Sequence, residues 1–276
     1  MPFHVIRGTF HVKGYAPDGD SIRFKADNKS HWGLLSGPPA KLNGNDHAQL
    51  RLEAIDTLET HFQNVHQPIS FAKQALDHLL AQVGITGVQW NAQNTQITQA
   101  NDDTPGYIIS REVEKNRRPV AFAFPGVPPE SDGATVFLDA ARVQQSANAE
   151  MLRSGLAYPT YYEGLFPDLR TVLSALVTAA RQGNMGLWPQ DKTNVGFVVT
   201  GLQSITQDHV ILPKLFRRLV TYLEGGGSLI NFRQSIATEQ ILIISTAHAT
   251  HFDTVVDVTG NTVKMTEIPE NLMFKG

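Results

Sequence analysis

Cysteine is missing altogether from this 276-residue chain. Its absence excludes disulfides, thiolate metal sites and a cysteine nucleophile. Charge is sparse as well, at 18% of residues, and almost balanced at a net −3. A broad basic surface for gripping long nucleic acid is therefore excluded. Any phosphate binding must come from a few focused arginines or from a bound cation. No apolar run reaches the roughly 18–20 residues that a membrane-spanning helix needs. The start, Met1-Pro2-Phe3-His4-Val5-Ile6-Arg7, lacks the basic segment and apolar block of a signal peptide. The expectation is a cytoplasmic protein with no membrane association. What is present, 41% hydrophobic residues without repeats or low-complexity tracts, is enough to bury a core.

Strand and helix periods alternate along the chain. His4–Val12 and Ser21–Ala26 read as strands joined through Asp18-Gly19, a turn signal that by itself asks nothing of Asp20. Residues 29–46, with Gly-Pro-Pro and Asn-Gly-Asn, read as an irregular surface insertion. Pro68 suits a first helical residue, and Ala72, Ala75, Leu76, Leu79, Leu80 and Val83 follow at helical spacing up to Gly84. Residues 87–92 read as a strand, 94–103 as polar loop or extended hairpin, and Val120–Phe124 as a buried strand. A short helix over Asn148–Ser154 is closed by Gly155. Asp168 is the expected N-cap of a helix that Gly183 ends.

Beyond Pro189-Gln190-Asp191-Lys192, which has the character of a junction, Val195–Thr200 reads as a strand. An amphipathic helix follows, with the stripe Leu212, Leu215, Phe216, Leu219, Val220 and Leu223. Its opposite face carries Lys214, Arg217 and Arg218, read as a solvated face. Strands over Gln240–Ser245 and around Gly260-Asn261 complete the chain. His248 and His251 invite a metal reading, but residues three apart on an extended segment point to opposite faces.

The chain is organised around Leu50–Thr60. It starts as a strand and ends in Asp56 and Glu59, with Thr57 and Thr60 beside them. Two carboxylates and two hydroxyls at a strand's mouth offer hard oxygen ligands, and the planar fork of Arg51 suits phosphate. Short polar side chains of this kind more often cap turns, and the stretch by itself fits that reading better.

Four marks in order make residues 5–188 resemble the staphylococcal nuclease family. They are Asp18-Gly19-Asp20-Ser21, Arg51 through Glu59-Thr60, Arg118 entering a strand, and Gly155-Leu156-Ala157 with Gly186-Leu187-Trp188. The resemblance implies an OB-type five-stranded barrel with three helices over residues 1–190. A small α+β C-terminal domain of unknown role would follow over 191–276, the whole being α+β. It implies Ca2+ held by Asp20, Asp56 and the carbonyl of Thr57, with Arg51 and Arg118 on phosphate and Glu59 as general base. Tyr161 would contact bound nucleotide. Calcium takes six to eight oxygens in a flexible shell, so such a set leaves room for a phosphate oxygen. Departures from the family are Leu58 where proline is usual, Asn116-Arg117 where tyrosine-glycine precedes the arginine, and Glu114 for aspartate. The implied function is calcium-dependent hydrolysis of DNA or RNA, with single strands preferred. The alternative is a catalytically silent OB-type nucleic-acid-binding or scaffold protein.

Overall fold

The computed structural model describes residues 2–276. It is an α+β protein whose chain divides into two compact units, Met1–Glu53 with Leu76–Met151 and Ala54–Ala75 with Leu152–Gly276. Residues 152–190 group with 191–276, and the acidic turn after Leu52 goes with them.

The first unit is built on five strands: β1 (Phe3–His11), β2 (Ser21–Ala26), β3 (Ala48–Leu52), β4 (Thr104–Val113) and β5 (Pro119–Pro125). Each follows its sequence pattern. In β2, Ile22 and Phe24 are buried while Lys25 is exposed, and β5, apolar on both faces, is buried from Pro119 to Phe124. β1 pairs with β2, β2 with β3, β4 with β5 and β4 with β1, all antiparallel, while β3 and β5 run parallel. The circuit 1-2-3-5-4-1 returns to its start, so the five strands form a closed barrel. Phe10, Ile22, Phe24, Leu50, Ile108 and Phe122 are among its fully buried side chains. The insertion at 29–46 is better anchored than its composition suggests. It carries the 3-10 turn Lys29–Leu34, whose Trp32 is buried and meets Phe24 edge to face at 6.3 Å. Residues 86–101 form the hairpin Thr86–Trp90 and Ile97–Asn101.

One buried polar cluster lies in this unit. The rings of His11 and His47 stack with centroids 3.9 Å apart. Asp102 Oδ2 lies 3.6 Å from His11 Nδ1, Asp103 Oδ1 lies 3.4 Å from His11 Nε2, and the Tyr15 hydroxyl is 3.1 Å from His47 Nδ1. Burial lowers the pKa of both imidazoles. For His11 it outweighs Asp102 and Asp103; for His47 the charges of His11 and Lys25 act in the same direction. Each folded pKa thus lies below that of the unfolded chain, which takes up protons first as pH falls. Stability should accordingly decline below about pH 6.5, where free imidazole titrates, until the folded pKa values are passed. Urea unfolding at pH 7.5 and 5.0 measures this, with His11→Asn/His47→Gln as the comparison. An equal acid loss in that variant would place the effect elsewhere.

Helix α1 (Ile69–Gln82) has the apolar stripe expected of it, with Ala72, Ala75, Leu76, Leu79 and Leu80 all buried. α2 (Ala147–Arg153) ends before Gly155. The second unit then adds α3 (Pro167–Gln182) and α4 (Pro213–Glu224). The N-cap of α3 is Phe166 with Pro167 first in the helix, so Asp168 stands inside the first turn instead of capping it. Gly155 and Gly186 explain their own identity. Both have positive φ, and a Cβ on Gly155 would lie 2.5 Å from the Met185 carbonyl oxygen. One on Gly186 would lie 2.2 Å from that of Gly155. Two loops are pressed backbone to backbone there, closed by Leu187 N–H on Gly155 O at 2.9 Å.

Residues 191–276 supply α4 and most of two small sheets. One has the order Tyr161–Tyr162, Leu272–Phe274, Gln240–Ile243, His248–His251, and the other Phe197–Val198, Thr262–Met265, Val256–Thr259. Among the described residues no helix is long and apolar enough to cross a membrane.

Candidate functional site

In the first unit, strand register places three of the expected residues along or beside β3. Arg51 lies opposite Ser21 on β2 and opposite Val120 on β5. Asp20, just ahead of β2, therefore falls at the level of Leu52, and Arg118, just ahead of β5, at the level of Gln49. The Asp20 carbonyl accepts from Leu52 N–H at 2.9 Å, fixing the approach to β2. All three residues are half-buried. Arg118 donates from Nε to Glu114 Oε1 at 3.0 Å. Burial alone would raise the Glu114 pKa, but hydrogen bonds from Arg118 and the Asn116 backbone hold it below the usual carboxylate range.

Arg118 also borders a cleft of about 210 Å³ in the same unit. Four of the lining side chains are cationic, Arg23, Lys41, Arg117 and Arg118, and three carry amides, Asn43, Gln49 and Asn116. The cleft draws on both stretches that sequence left without a role. The insertion at 29–46 supplies Lys41 and Asn43, and the turn 114–117 supplies Asn116 and Arg117. Arg117 adopts φ +65° and is tied by three bonds. Its N–H donates to Glu114 O at 2.7 Å, its carbonyl accepts from Lys41 N–H at 2.9 Å, and its Nε donates to Pro39 O at 2.9 Å. Arg23 stacks over the Tyr15 ring at 4.8 Å.

Asp56, Thr57 and Glu59 belong to the second unit. Past β3 the chain turns at Ala54 (φ +70°) into Ile55–Asp56, which pairs antiparallel with Tyr158–Pro159. Asp56 and Thr57 are buried, at 5% and 1% exposure. Gln67, wholly buried, clasps the turn. It accepts from Glu59 N–H at 3.2 Å, donates its own N–H to Glu59 O at 3.0 Å, and reaches Ile211 O with its amide at 2.8 Å. Phe62 meets Phe216 edge to face at 6.4 Å. The acidic turn is thus packed onto the start of α4.

The residue facing those acids is Arg217, on α4. Its Nη1 donates to Asp56 Oδ1 at 2.9 Å and its Nη2 to Asp56 Oδ2 at 2.7 Å, a two-pronged contact. Nη1 also donates to Glu59 Oε1. Burial works against the charge of Arg217, yet Asp56 and Glu59 more than offset it and hold the proton well above the ordinary arginine range. The expectation of a solvated face on α4 is corrected here. Lys214 is buried and bonded to Glu239, and Arg218 donates to the same carboxylate at 2.8 Å.

Tyr161 is a second correction. Its side chain is fully buried, with its hydroxyl 2.9 Å from Ser174 Oγ, and burial pushes its pKa well above that of an ordinary phenol. It is core, and it has no face for a nucleotide. His248 and His251 lie exposed on an edge strand. Among the described residues no group of three or more histidine, aspartate or glutamate side chains gathers as a metal site.

The implied calcium set needs only two carboxylates and a carbonyl, so Arg217 decides the fit. Both oxygens of Asp56 already accept from a guanidinium. A divalent ion about 4 Å from that charge would be repelled by on the order of several kcal/mol even at an effective dielectric near 20. As arranged, the Asp56 carboxylate does not fit a calcium ligand, and Glu59 is not free to act as a base. No family model matches the chain, and no curated protein matches it in sequence.

Proposed function

We propose that this chain binds single-stranded nucleic acid, DNA or RNA, on an OB-type barrel through a focused basic cleft. The observation that carries this reading is the convergence of Arg23, Lys41, Arg117 and Arg118 on one cavity of a protein whose overall charge is negative. Such a cluster is local, as a groove that tracks a phosphate backbone requires, and the three amides beside it can bond base edges or sugar hydroxyls. The closed five-strand circuit, with α1 lying in sequence between β3 and β4, suits the OB type, whose barrel face takes oligonucleotides.

Calcium-dependent hydrolysis is the second reading. It is favoured by the placement of Asp20, Arg51 and Arg118 along β3, and opposed by the guanidinium on Asp56. One experiment separates the two: fluorescence anisotropy of labelled 12-nucleotide DNA and RNA at 50 and 200 mM salt, with product analysis in calcium and in chelator. Four phosphate contacts would weaken single-strand binding about 50-fold over that salt range. Binding without cleavage is the expected outcome. Cleavage that calcium restores would establish the second reading, and neither binding nor cleavage would remove both.

A further inference from the structure

We propose that Arg217 is the resident cation of the Asp56–Glu59 pair, holding the place that the nuclease resemblance gives to calcium. While Arg217 is present, calcium does not bind these carboxylates in the folded chain. The inference concerns the acidic turn and not the basic cleft, so it stands or falls independently of nucleic-acid binding.

Three observations carry it. The first is geometry. The arginine fork spans both Asp56 oxygens at 2.7 and 2.9 Å and shares a nitrogen with Glu59, which uses the two carboxylates as one anionic clamp. Arginine suits this place because its guanidinium stays charged and bonds carboxylates in a fixed plane. The second is restraint. Gln67 joins the Glu59 backbone to Ile211, two residues before α4 begins, and Phe62 rests on Phe216 beside Arg217. Arg217 is therefore delivered by a braced helix and is no free surface arm. The third is burial. The Asp56 and Glu59 side chains are 7% and 12% exposed. Carboxylates this far from water need a permanent counter-charge, and the chain supplies one.

The two cations are then mutually exclusive, which calorimetric titration with calcium chloride can read. Wild type should give no binding heat, and its melting temperature should be the same in 10 mM calcium as in 10 mM magnesium. Arg217→Met, which keeps bulk and removes charge, should acquire calcium binding at a Kd of about 10⁻³ M or tighter, the weak end of natural sites. Adding Asp56→Asn should abolish it. Arg217→Gln, which can still bond the carboxylates, serves in its place if circular dichroism shows the methionine variant unfolded. Calcium binding by wild type that Asp56→Asn removes would overturn the proposal. So would a folded Arg217 variant that gains no calcium affinity.

Discussion

Arg217→Ala should lower the free energy of unfolding by about 3–5 kcal/mol, the usual cost of taking one partner from a buried ion network. The loss comes less from the bonds removed than from what stays behind. Asp56 and Glu59 would stay sheltered by the strand pair at Tyr158 and by the start of α4, without the cation that faces them both. The comparison that proves the cause is the triple variant Asp56→Asn/Glu59→Gln/Arg217→Met. Removing all the charges together should recover most of the loss, because neutral groups cost far less to bury than a stranded carboxylate. Urea unfolding at pH 7 measures both. A loss under about 1 kcal/mol in the alanine variant would mean that water screens the network as it does a surface pair.

The second large effect is expected at the cleft. Lys41→Glu with Arg117→Asn should weaken binding of a single-stranded oligonucleotide about 10²-fold at low salt, because three units of positive charge leave a site of four cations. The salt dependence should flatten as well, by about 0.7 in the log–log slope for each phosphate that the cleft no longer neutralises. Both side chains are exposed, and asparagine tolerates the left-handed backbone of Arg117, so the melting temperature should hold. An unchanged affinity would move nucleic acid away from this cleft. A fall in affinity with an unchanged slope would mean that the two residues act by shape instead of charge.

Local pattern revealed the single elements well. The helix after Pro68 and its apolar stripe, the alternation in β2 and the apolar run in β5 are all stated by periods that need no distant partner. Arg217 shows where that kind of reading stops. The stripe Leu215, Phe216, Leu219 fixes which side of α4 meets the core, but periodicity is silent about what the polar side meets. Asp56 lies 161 residues away in sequence, and no local signal connects the two. The cleft escaped for a related reason. Lys41 and Arg117 sit in stretches whose composition says loop, and only the folded chain sets the two loops against each other through Lys41 N–H and the Arg117 carbonyl. Tyr161 failed because three tyrosines close in sequence, Tyr158, Tyr161 and Tyr162, do not show that the first two turn inward and the third does not. Strand pairing with Met273 and the Ser174 hydroxyl settle that from afar.

The Gln67 clasp has a consequence for how the protein is made. Its amide is completed by the Ile211 carbonyl, 144 residues later. At 5–20 residues per second, a ribosome needs roughly 7–30 s to supply that acceptor after Gln67 itself has been joined. The last two barrel strands, β4 and β5, are synthesised within that interval, since β3 ends at Leu52 and β5 at Pro125. The barrel can therefore close while the acidic turn still lies open to solvent, its carboxylates hydrated and Arg217 not yet translated. A nascent chain stalled before Ile211 would carry a finished barrel and an unclasped turn.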